Sequence, residues 1–162
     1  MADETFKTVK LQLRKPYFEN YLRFVFDNPE GTIKVKRDDN LGKYLFSRVR
    51  YSNTPPCKLE GQVISLIMPA HGCDTSRYQF MYFSAEDIVR INDYIESSAY
   101  MDFRMMVQTG TVDLKMDRKT VISVFSDLIY GEDKFEMLKK EEYRKRKKLR
   151  EWLSKSAKSF SY

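Results

Sequence analysis

With 162 residues, 42% hydrophobic and 14% aromatic, the chain carries enough apolar material for a buried core, and six glycines and five prolines are too few for a linker-rich or disordered protein. The longest apolar run, Val63 to Met68, is broken by Ser65 and falls far short of the roughly 20 residues that span a bilayer, and the polar stretch Met1 to Lys7 has no signal-peptide core behind it, so a cytoplasmic location is expected. The net charge of +6 is concentrated: Lys139 to Lys158 holds ten cations against three acids, whereas the other 142 residues hold 19 cations against 20 acids.

In chain order, Val9, Leu11 and Leu13 alternate with polar residues as a half-buried strand. Pro16 suits the first turn of a helix with an apolar face of Tyr17/Phe18, Tyr21/Leu22 and Val25/Phe26, which Asp27 to Gly31 ends with turn chemistry. Ile33 and Val35 mark a second strand, and Asp38, Asp39 or Asn40 can cap a second helix through Leu41, Tyr44, Leu45, Phe46 and Val49. Val63–Met68 and Tyr78–Phe83 read as a β-hairpin with Pro69 to Ser76 as its loop, so that four strands could share one sheet. Ser84 is positioned as N-cap of a long helix with the stripe Ile88, Ile91, Ile95 and an end near Gly110.

Asp117 can cap a further helix whose Val121, Val124, Phe125, Leu128 and Ile129 define an apolar face. Gly131 suits a left-handed helix terminus, and Asp133 with Glu136 gives a capping-box signature for the last helix. Two helices joined by Gly131-Glu132-Asp133 have the helix-turn-helix arrangement. The expected fold is therefore α+β. A β-α-β-α module and a hairpin form a body over residues 1–110, followed at 111–162 by a helix-turn-helix-like pair ending in a basic helix.

Along that last helix, with Leu138 at 0° and about 100° per residue, Leu149, Trp152 and Leu153 fall within about 60° of Leu138. Both ends are thus expected to dock on a core. The cations between them spread over nearly every other direction, and desolvating several unpaired cations costs more than packing returns. They must be solvated or lie against anions. Lys139, Lys140, Arg144, Lys145, Arg146, Lys147, Lys148 and Arg150 are accordingly the candidate nucleic-acid-binding residues.

No complete catalytic constellation is visible, and neither an enzymatic activity nor a cofactor is expected. His71 is the single histidine; with Cys57 and Cys73 it lacks the four ligands and the close cysteine pair of a structural zinc site. Two cysteines form no disulfide framework and fit a reducing compartment. Asp38-Asp39 and Glu86-Asp87 stand at helix starts, where capping explains them. Tyr143 reads as a packing or base-stacking aromatic, Tyr78, Phe80 and Tyr82 as core or a stacking platform.

Phe135-Glu136-Met137-Leu138-Lys139-Lys140 followed by Tyr143-Arg144-Lys145-Arg146-Lys147-Lys148 resembles the C-terminal pattern of small uncharacterised basic proteins of Bacteroidetes prophages and mobile elements, and the element order of residues 60–130 is similar as well. The resemblance carries no activity; it implies a setting of mobile DNA. Three functions compete: a DNA-binding regulator or accessory factor of a mobile element; a phage assembly or protein-interaction component whose basic arm meets an acidic partner or packaged DNA; and, weakest for want of a clustered His/Asp/Glu set, a nuclease.

Overall fold

The computed structural model describes residues 7–68, 77–131 and 134–159. In chain order the elements are β1 (Lys7–Gln12), α1 (Tyr17–Val25), β2 (Ile33–Lys34), α2 (Asn40–Arg48), β3 (Arg50–Ser52), β4 (Val63–Met68), β5 (Phe80–Tyr82), α3 (Ala85–Gln108), α4 (Arg118–Phe125) and α5 (Phe135–Ser159). The class is α+β. Two compact units divide the chain, Met1–Tyr100 and Met101–Tyr162. The division falls inside α3 rather than at Gly110.

In the first unit, strand alternation sets the core. Val9 and Leu11 of β1 and Ile64, Leu66 and Met68 of β4 are buried while their neighbours are more exposed. β4 lies between the other two strands of its sheet, antiparallel to β1 with Val9 opposite Leu66, and parallel to β2 with Ile33 opposite Leu66. Phe18, Tyr21, Leu22 and Phe26 of the first helical segment, Leu41 and Leu45 of α2, and Ile88, Ile91 and Ile95 of α3 supply the rest of the core, as their spacing predicts.

The hairpin expectation fails. β5 pairs antiparallel with β3, in a second sheet of two strands, and both edges of β4 are taken by β1 and β2. The loop assigned to the hairpin, with His71 and Cys73, lies outside the described residues. Strand pairing is set by which edges and apolar faces match in three dimensions, so adjacency in the chain misled, and the short β3 has no alternation of its own to announce it.

Helix starts follow their caps. The Asp39 carboxylate accepts from the Leu41 N–H at 2.7 Å, and Asp117 accepts from the Lys119 and Thr120 N–H groups at 3.1 and 3.4 Å. The Ser84 hydroxyl accepts from the Asp87 N–H at 3.1 Å and donates to the Asp87 carboxylate at 2.8 Å. Asp87 is more than a cap. It is buried and faces Arg50 at 3.1 Å and Arg48 at 3.5 Å, tying α3 to the end of α2 and to β3. Asn92, also buried, binds the end of β1 to α3 by donating to the Gln12 and Ile88 carbonyls and accepting from the Arg14 N–H, while Arg14 reaches Asp93 and Glu96 at 2.8 and 2.9 Å.

The second unit is helical. α3 does not end at Gly110 but widens into a π-helical turn, Thr109–Asp113, and closes beyond it with Lys115 in the left-handed region at φ 56°. Gly110 is buried for a different reason. A Cβ there would stand 2.5 Å from Cγ2 of Val121, so α4 can approach this turn only over a glycine. α4 likewise continues into a π turn, Ser126–Tyr130, before Gly131 reverses the chain at φ 66°, where the sequence places a left-handed residue. Asp133 of the capping-box signature lies outside the described residues.

The buried face of this segment is Val121, Ile122, Phe125, Ser126 and Ile129, with Leu138 of α5; Val124 and Leu128 are exposed. The expected stripe is thus rotated by one flank, since Ile122 competes equally for the interior. Ser126 enters it because its hydroxyl accepts the Lys134 N–H at 2.9 Å. Phe125 anchors the unit, its ring 4.9 Å from that of Phe103.

Three outcomes follow from these contacts. Phe125→Ala is expected to lower stability by about 3 to 5 kcal/mol in urea melts, and a loss below about 1 kcal/mol would remove Phe125 from the core. Gly110→Ala is expected to cost about 1 to 3 kcal/mol through overpacking, relieved in part by adding Val121→Ala, whose shortened side chain makes room. The Asp87 carboxyl is held below the ordinary aspartate value of 3.8 by the Ser84 hydrogen bond first, then by Arg50 and Arg48, against desolvation that acts upward. With a depressed folded-state pKa, its contribution is present above the unfolded value and is lost as pH falls below about 4. Asp87→Asn should therefore cost about 1 to 3 kcal/mol at neutral pH and less in acid, as read from urea melts across that range.

Candidate nucleic-acid interface

α5 begins on the core and leaves it. Of its apolar residues, Leu138 is buried at 1% exposure, whereas Leu149, Trp152 and Leu153 are 45%, 62% and 58% exposed. The expectation that both ends dock is corrected: the first does, the second does not. The reason lies in the length of α4. Ser126, just past its end, receives the Lys134 N–H, and Arg118, its first residue, reaches Glu142 at 3.8 Å, so the two helices run antiparallel and α4 starts opposite Glu142. Leu149 to Leu153 lie about 10 to 17 Å further along α5.

The eight predicted cations fall into distinct settings. On a helix advancing about 100° per residue, Lys140, Arg144, Lys147 and Arg150 lie about 120° to 180° from Leu138, on the side away from α4. All four are exposed. Lys148, also exposed, flanks this stripe. Lys139 is exposed but engaged with its own helix, 3.7 Å from Glu136 and 5.6 Å from the Phe135 ring centroid.

Arg146 and Lys145 turn the other way. Arg146 stands 3.6 Å from Glu142, whose carboxylate is shared with Arg118 and is only 11% exposed. The Lys145 ammonium is held below its usual value by desolvation, then by repulsion from Arg104, with Glu141 opposing. Arg146, half-buried, serves the join to the unit more than the outer stripe, whereas Lys145 is exposed on the Leu138 side of α5. Periodicity singles out Lys145, about 20° from Leu138; Arg146 at about 80° is no nearer than exposed Lys148, and its tie to Glu142 shows only in the packed unit.

Tyr143 is 57% exposed, so the packing alternative for it is set aside; the Arg146 guanidinium lies 6.0 Å from its ring centroid. It stands beside the outer stripe, about 140° from Leu138. In the first unit, Tyr78 is 40% exposed and its ring meets that of Tyr51 at 5.8 Å, while Phe80 and Tyr82 are half-buried. They do not present a flat row of bare rings. Cys57 is exposed with a free thiol. Among the described residues no three His, Cys, Asp or Glu side chains gather as metal ligands, and no helix is long and apolar enough to cross a membrane.

Chemically, the outer side of α5 offers delocalised guanidinium forks and mobile ammonium groups at successive turns over about 15 Å. Such a row suits a regularly spaced polyanion. No protein family, curated protein or solved structure matches the chain.

Glu142 is the acid that holds this arrangement to the unit. Glu142→Gln should lower stability by about 1 to 2 kcal/mol, because Arg118 and Arg146 lose their shared carboxylate. The loss should shrink in high salt, which urea melts at two ionic strengths would reveal.

Proposed function

We propose that the protein binds nucleic acid, duplex DNA first, through the outer side of α5, as a non-enzymatic regulatory or accessory factor. One observation carries the reading: Lys140, Arg144, Lys147 and Arg150 share the side of α5 turned away from α4, at successive turns and exposed. Paired into the solvent they would be an unusually one-sided surface; against a phosphate backbone each releases condensed counterions and gains affinity. A helix following a capped helix and a glycine turn is also the kind of element that enters a major groove. Tyr143 beside the stripe could contact bases or sugar, and Lys139 and Lys148 widen the positive field on either side.

The resemblance to basic proteins of prophages and mobile elements supports such a DNA setting. The exposed free thiol of Cys57 is in keeping with a reducing cytoplasm. A second reading, an assembly or interaction component with an acidic partner, draws on the uncovered Leu149, Trp152 and Leu153, which nucleic acid alone does not explain.

With about five phosphate contacts, log affinity for duplex DNA should fall with log salt at a slope of about −4 to −5. The triple variant Lys140→Ala, Arg144→Ala, Lys147→Ala should make that slope shallower by up to about 3 and leave thermal stability unchanged. Arg146 is left in place because Glu142 depends on it. Undetectable binding of the intact protein to DNA and RNA at low salt would transfer the reading to the acidic protein partner.

A further inference from the structure

We propose that the chain forms a two-fold dimer by arm exchange, the C-terminal turns of α5 from one copy lying on the outer face of α4 in the other. The proposal is independent of the nucleic-acid reading. It begins with two exposed apolar stripes in the second unit. Leu149, Trp152 and Leu153 continue the side of α5 that α4 covers near Leu138, but they project past the start of α4 and cannot fold back on it along a straight helix. Val124 of α4 and Leu128 of the π turn that continues it, four residues on, are 47% and 45% exposed.

The two stripes complement each other in shape and charge. An apolar ridge at i, i+3 and i+4 on a helix is the shape that another helix accepts. Lys148 and Lys155 line one edge of the arm's stripe, and exposed Asp127 precedes Leu128 in the π turn that continues α4. Two arms packed side by side would instead bring lysines against lysines, and the a/d-type apolar seam of one heptad is too short for a coiled coil. The area is also sufficient. The five side chains expose on the order of 500 Å² per copy, about the apolar 60% of the roughly 800 Å² each partner buries in a standard-size interface. Because each copy gives an arm and a face, the exchange closes at two copies and leaves neither of these two stripes open.

Trp152 is the chain's single tryptophan, so its emission reports the contact directly. Sedimentation equilibrium of the intact protein over a concentration series, read beside Trp152 fluorescence, should show a monomer–dimer equilibrium in which emission moves to the blue as dimer forms. Leu128→Glu, at an exposed position that leaves the fold intact by circular dichroism, should weaken dimerisation at least about tenfold and return the indole to water. Asp127→Lys should weaken it as well, and Lys148→Glu with Lys155→Glu in that background should restore it. A protein monomeric up to about 1 mM, or a dimer indifferent to Leu128→Glu, would overturn the proposal. So would a blue shift seen only on adding anionic phospholipid vesicles while the protein stays monomeric, which would assign the stripe to a lipid surface.

Discussion

The cost of taking a cation out of water governs the second unit. α5 carries a cation at eight of the twelve positions from Lys139 to Arg150, in almost every direction around its axis, and only one side near its start can be covered by protein. α4 supplies that cover for the length over which it runs beside α5, from Ser126 near Lys134 back to Arg118 near Glu142. Where Arg118 and Arg146 approach the join, an acid is present, Glu142, which serves both. Beyond the start of α4, Leu149, Trp152 and Leu153 of α5 are left exposed among the described residues.

This division of labour explains why a small helical unit tolerates such a helix. The buried face of α4 and its π turn, with Phe103 and Leu138, gives the unit a core that needs no part of α5 beyond its opening turns. Gly110 allows α4 to approach the α3 terminus, and Gly131 turns the chain back so that α5 starts against Ser126. The fold thereby positions the first turn of α5 firmly and commits the remaining turns to whatever lies outside. The polar side then suits a polyanion, and the apolar side at the far end suits a protein.

Much of this was legible from residue types and spacing. Asp39, Asp117, Ser84 and Gly131 stand where the helices begin and end because caps and left-handed turns are local chemistry, readable without a partner. The crowding of cations on α5 was legible for the same reason, although spacing alone left all eight together and the outer four separate from Arg146 only once Glu142 and α4 are in place. What depends on distant contacts was not. β4 and β5 are neighbours in sequence yet belong to different sheets, and Ile122 displaced Val124 and Leu128 from the interior although all three are apolar. Asp87 reads as a cap, but its pairing with Arg48 and Arg50 requires the packed unit. Leu149, Trp152 and Leu153 show the limit clearly. Periodicity states which side of a helix they occupy and cannot state whether anything lies opposite.

The central claim, that the outer side of α5 is the surface that meets nucleic acid, is tested most directly by a backbone-amide NMR titration of the isotope-labelled intact protein with a short DNA duplex at low salt. The account predicts that resonances of Lys140, Tyr143, Arg144 and Lys147 move together and saturate, while those of Val121, Phe125 and Leu138 in the core stay in place. Shifts centred on the β3–β5 sheet around Tyr51 and Phe80, or no saturable shift along α5, would contradict it.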